Sequence, residues 1–147
     1  MTTTDRVAVA PATAQGGRVR SRLLAVAGAV VAAVVIWAIA VPVFGLELVA
    51  PPGPDETAPQ AVPFGAVVMA SLVASLAGWA LLAVLERFLS RGRTVWTVVA
   101  SIVLVLSLAG PLLGAGVPAS CRITLALMHL CVGAVLISQL PRSSAAR

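Results

Sequence analysis

The sequence predicts an all-α protein, a bundle of four transmembrane helices in up-down order with both termini cytoplasmic. Three observations predict it. The 147 residues are 60% hydrophobic and only 10% charged, with a mean hydropathy of +1.06, whereas a soluble domain carries about 25% charged residues. Four apolar runs are each long enough to cross a bilayer, which takes about 20 residues. The basic residues fall in alternate connecting segments. This composition excludes a water-soluble globule and also a disordered chain, which would be charge-rich and poor in apolar residues. Two cysteines are too few for a disulfide scaffold.

In chain order, residues 1–22 form an Arg-rich tail expected to be disordered. Residues 23–140 form the membrane domain, with spans at about 23–44, 63–85, 95–113 and 120–140, and residues 141–147 form a second tail. The second span opens at Pro63, whose missing N–H does no harm in a first turn. The fourth follows Pro118, with Ser120 expected as its N-cap. Arg18, Arg20 and Arg22 before an apolar run, with Ala38-Ile39-Ala40 after it, also match a signal peptide and its cleavage site. That run of about 20 residues exceeds the usual 7–15, and three more spans follow, so it reads as a retained helix.

The connections give the orientation. Arg6, Arg18, Arg20 and Arg22 precede the first span. Arg87, Arg91 and Arg93 join the second and third, and Arg142 and Arg147 follow the fourth. With four crossings these nine share one side, and Arg122 stands alone on the other with Glu47, Asp55 and Glu56. Arginines stay on the cytoplasmic side, so both termini are expected there, in a cell-membrane, multi-pass protein. The segment 45–61 is then extracytoplasmic. Phe44 and Phe64 mark the outer interface and Phe88 and Trp96 the inner one, while Trp37 and Trp79 fill space between helices. No basic patch with interleaved aromatics suggests nucleic acid.

Lipid does not push helices together, so small residues must permit close approach. Ala70, Ala74 and Gly78 form such a stripe on the second span, with Ser71 and Ser75 beside it, and Gly28 and Ala32 repeat the relation on the first. These are helix-packing candidates, within the chain or in a homodimer. Pro111 removes the bond from its nitrogen to the Ser107 carbonyl and should kink the third span.

The fourth span carries a polar face. At about 100° per residue Arg122, Ala126, His129 and Gly133 fall within about 60° of one another, and ionisable groups in a membrane turn inward. His129, the single histidine, is expected to be neutral and to bond a neighbouring helix, with Ser71, Ser75, Ser101 and Ser107 as candidates. It is also the weak candidate for a cofactor ligand. Arg122 is expected to form a rim ion pair with Glu47. Cys121 and Cys131, about 15 Å apart on one helix, cannot bridge each other. Cys121 should lie near the outer surface, where it could pair only between chains.

The Arg-rich tail, Pro51-Pro52, Trp79 with Leu82 and Glu86-Arg87, Ser107-Leu108-x-Gly110-Pro111, Leu127-Met128-His129-Leu130 and Val132-Gly133 occur in that order. In these elements, over about residues 20–141, the chain resembles a family of small four-helix membrane proteins from actinomycetes, a domain of unknown function. The resemblance implies a membrane location and supplies no catalytic residues.

The sequence contains no Ser/His/Asp set, paired-carboxylate arrangement, phosphate loop or CxxC, so no enzyme, metal site or cofactor is expected. The leading expectation is a structural, assembly or partner-binding role toward the lipid bilayer and another membrane protein or a second copy. The alternatives are a small oligomeric transporter, discriminated by a polar cavity at His129, and a haem or redox protein using His129.

Overall fold

A computed structural model describes residues 13–53 and 56–142. It is an up-down helical bundle. Helix α1 spans Thr13–Ala38 and runs into a π-helical turn, Ile39–Val43. The short strands β1 (Val49–Ala50) and β2 (Gln60–Ala61) follow, then α2 (Phe64–Phe88), α3 (Gly92–Ser107), the short α4 (Ala109–Leu113) and α5 (Ala119–Gln139). The four apolar helical stretches hold 28, 25, 22 and 21 residues. At 1.5 Å per residue even the last reaches about 31 Å, enough for a hydrocarbon core about 30 Å thick.

The first helix starts ten residues before the predicted span, so Arg18, Arg20 and Arg22 are helical rather than part of a disordered tail. Residues 1–12 and 143–147, including Arg6 and Arg147, lie outside the described residues, as does Asp55. Pro42 explains the π turn. It has no N–H to give the carbonyl four residues back, and the helix widens so that Phe44 N–H bonds Ile39 O, five residues back, at 3.1 Å; past the left-handed Gly45, Leu46 N–H closes the end on Ala40 O at 3.0 Å. Pro63 sits just before α2 in an extended conformation. Ser120 is not the N-cap of α5, because Pro118 occupies that position without any side-chain cap bond. The third span is assigned as two helices, α3 ending at Ser107 and α4 starting at Ala109, with Leu108 between them still in helical conformation and Pro111 buried inside α4.

The strands pair antiparallel, Val49 with Ala61 and Ala50 with Gln60. This hairpin arm was not legible in the sequence as a strand pair.

α1 lies against both α2 and α5, and α3 packs on α2 and α5, but α2 and α5 barely meet. The core therefore divides. At the end holding the α1 N-terminus, the α2–α3 turn and the α5 C-terminus (the basic end), Ala25, Ala29, Leu82, Trp96, Leu136 and Leu140 form one buried cluster. At the hairpin end, Ala33, Leu48, Val67, Val117, Cys121, Leu125 and Met128 form another.

The basic end is closed by close approach. Gly92 begins α3 so near α2 that a Cβ there would lie 2.6 Å from the Leu85 carbonyl atoms. The first turn of α3 thus already faces α2, and Trp96, expected at the interface, is 1% exposed, its indole N–H donating to Gly78 O at 2.9 Å. The other aromatics expected at the interfaces, Phe44, Phe64 and Phe88, are exposed. Trp37 is half-buried, donates to Val62 O at 3.0 Å and meets Phe64 edge-on. Trp79 packs beside the basic-end cluster.

Candidate functional site

The candidate site is a cleft between α2 and α5 in the hairpin half, with a volume of about 260 Å³. Its α2 wall consists of Ala66, Val67, Ala70, Ser71 and Ala74, and its α5 wall of Leu125, Met128, His129 and Val132. Ala33 of α1 is its floor, and Ala50 and Val62 of the hairpin arm close one end. The alanines of α2 recur every fourth residue and share one face. Ala66, Ala70 and Ala74 are exposed, so the cleft opens sideways from the bundle. Its origin is steric: methyl groups on α2 cannot span the gap to α5, and larger side chains there would have filled it.

The packing candidates therefore separate into two groups. At Gly78 a Cβ would be 3.9 Å from Leu140 and Trp96, within the closed basic half. At Gly28 it would be 3.7 Å from Val135, which marks the α1–α5 contact, with Ala32 half-buried one turn on. Ala70 and Ala74 are exposed and line the cleft.

The polar face of α5 does not act as one unit. Ala126 is buried. Gly133 lies under α3, where a Cβ would meet the Leu104 methyls at 2.7 Å. Only His129 reaches the cleft. It makes no bond to a neighbouring helix: its Nδ1 is 2.8 Å from Leu125 O, one turn back on α5. The proposed serine partners are also satisfied locally. Ser71 donates to Val67 O at 2.7 Å, Ser75 to Ser71 O at 2.6 Å and Ser107 to Leu104 O at 2.7 Å, while Ser101 is exposed on α3. A helical serine or histidine one turn from a carbonyl finds its partner without any tertiary contact. A carbonyl oxygen only accepts, so in this contact Nδ1 is the donor.

The Glu47–Arg122 ion pair does not form. Arg122 Nε donates to Val117 O at 2.9 Å, capturing a carbonyl beside the start of its own helix. The contact between these segments is one residue away, Cys121 Sγ–H to Glu47 O at 3.3 Å. Cys121 is fully buried rather than near the surface, so it is not presented for pairing between chains; both cysteines are free. Among the described residues no group of three or more His, Cys, Asp or Glu is placed to hold a metal ion.

The ion pairs lie at the other end. Arg22 of α1 meets Glu86 of α2, Nη2 to Oε2, at 2.5 Å, and Arg93 Nε is 3.5 Å from Glu86 Oε1. Sequence reasoning counted these arginines for orientation and missed the junction. The signal was available, since Arg22 continues the three-and-four spacing of Ala25, Ala29 and Ala33 on the buried face of α1.

No curated protein and no solved structure matches the chain. A family model does, that of a family of unknown function (DUF6069), over residues 13–146.

Proposed function

The chain belongs to the DUF6069 family of unknown function, and from that premise we propose that it is a non-catalytic multi-pass membrane protein that binds a transmembrane segment of another membrane protein, or of a second copy, in the plane of the bilayer. The observation that carries this reading is the open cleft walled by Ala66, Ala70 and Ala74. Helices associate in lipid where small residues let backbones approach, and the alanines of this face are exposed. Its volume of about 260 Å³ falls below the roughly 300–1,000 Å³ of pockets that enclose a drug-sized ligand. It suits side chains from a passing helix better than an enclosed small molecule.

Permeation has weaker support. The polar side chains on the walls are Ser71 and His129, and both bond within their own helices. An ion or polar solute would find few groups to replace its water. We further propose that the basic end lies in the cytoplasm of a plasma-membrane protein. Among the described residues seven arginines (18, 20, 22, 87, 91, 93 and 142) stand at that end and Arg122 alone stands at the hairpin end.

A photo-crosslinking residue placed at Ala74, with a control at the exposed Val103 of α3, tests the proposal in native membranes. A discrete protein adduct from position 74 and none from 103 is expected. Adducts confined to lipid at both positions would overturn it.

A further inference from the structure

A polar atom in the cleft is left open by the chain. His129 is half-buried on the α5 wall, and its Nδ1 donates to Leu125 O at 2.8 Å. With that bond made, the uncharged ring offers Nε2 as an acceptor. Nε2 has no partner among the described residues, and it is not sealed from the surface. The other polar side chain on the walls supplies nothing, because the Ser71 hydroxyl donates to Val67 O at 2.7 Å. Depth decides what can meet Nε2. His129 is the middle residue of α5 (Ala119–Gln139), about 15 Å from either end, which is the midplane of a hydrocarbon core about 30 Å thick. The bilayer core holds no water to bond it, lipid tails carry no donor, and the hydroxyls of lipid headgroups sit at the membrane surface. An acceptor left bare in such surroundings is costly. A neighbouring transmembrane helix is what brings a side-chain donor to this depth.

We propose that the occupant of the cleft is a transmembrane helix of a different membrane protein, one that carries a Ser, Thr, Asn or Gln side chain at the midplane and donates from it to His129 Nε2. This rests on the docking reading above and specifies the partner's chemistry. The alanine wall admits a helix, and the imidazole selects it by a hydrogen bond that a purely aliphatic helix cannot make. A second copy in the same orientation fits less well. The chain has no asparagine, and Gln15, Gln60 and Gln139 lie near helix ends or in the hairpin. The exposed Ser101 is at the wrong depth: Leu104 packs against Gly133, so Ser101 stands about 10 Å nearer the basic end than His129 does. Ser75 and Ser107 donate within their own helices.

The test places the photo-crosslinking residue at Ala74 of the full chain in native membranes, identifies the captured peptide by mass spectrometry and varies His129. Adducts are compared at equal amounts of folded protein. In wild type the peptide is expected to come from a transmembrane segment of another protein that carries one of these donors. H129L nearly keeps the volume and removes the acceptor, and it should lower the adduct about threefold, the weight of one interhelical hydrogen bond in a membrane. H129Q restores an acceptor oxygen and should recover most of the adduct. An undiminished adduct in H129L, or an equal loss in H129Q, would overturn the hydrogen bond and leave the docking reading standing. A peptide from this chain, or from a segment without such a donor, would overturn the partner's chemistry. Lipid adducts alone from wild type would overturn the docking reading and this inference with it.

Discussion

The two halves of the bundle solve one problem in opposite ways. At the basic end a glycine turn draws α3 onto α2, an indole is buried to 1% exposure and a carboxylate ties three helices together. At the hairpin end the same two flanking helices, α2 and α5, stand apart over a row of alanines, and no ion pair joins them among the described residues. The difference teaches where the chain is finished by itself and where it is open. In lipid, apolar surface has no water to flee, so a gap between helices persists unless side-chain volume or a polar bond closes it. The basic half has both, and the hairpin half has neither across the cleft.

Substitutions can break or sharpen that contrast. The largest effect is expected from Trp96→Ala, which empties the centre of the closed half. It should cost about 3–5 kcal/mol, read as a fall in the thermal midpoint in detergent. Glu86→Ala leaves Arg22, with 11% side-chain exposure, beside a lost partner. Removing one member of a buried pair costs about 3–5 kcal/mol, and the 25% exposure of Glu86 brings the expectation to about 2–3. A matched pair then compares the ends directly. Trp96→Phe and Trp37→Phe each delete one indole bond to a carbonyl. The first should cost about 1.5 kcal/mol and the second about 0.5, because the Val62 carbonyl left without its donor lies beside a half-buried side chain, where another donor can reach it. Equal costs would erase the contrast. The smallest effect belongs to His129→Leu, which removes only a bond within one helix turn. A stability change of under about 0.5 kcal/mol is expected, and a loss of several would show that the imidazole has a tertiary role.

Much of the fold was legible, because long apolar runs and segregated arginines report on the bilayer as solvent and need no knowledge of packing. The four spans follow from that. The misread residues share one cause: each depends on what a backbone group nearby already offers. Trp96 looked interfacial beside Arg93, but the close approach at Gly92 places it against Gly78 O. Arg122 and His129 looked like tertiary partners, but the Val117 and Leu125 carbonyls satisfy them first. For Ala70 and Ala74 the sequence left open a contact within the chain or with a second copy, because whether a small-residue stripe faces its own bundle or the outside is set by how far apart the neighbouring helices stand. The strands, two residues each, are too short for an alternation pattern to reveal.

The most direct measurement fills the cleft without touching the closed half. Ala70→Phe places a ring where the bundle has space, so the thermal midpoint should stay at the wild-type value while the protein adduct formed from a photo-crosslinker at Ala74 disappears. An undiminished adduct in the filled variant, with the fold intact, would contradict the account, since the binding partner would then have to sit somewhere other than between α2 and α5.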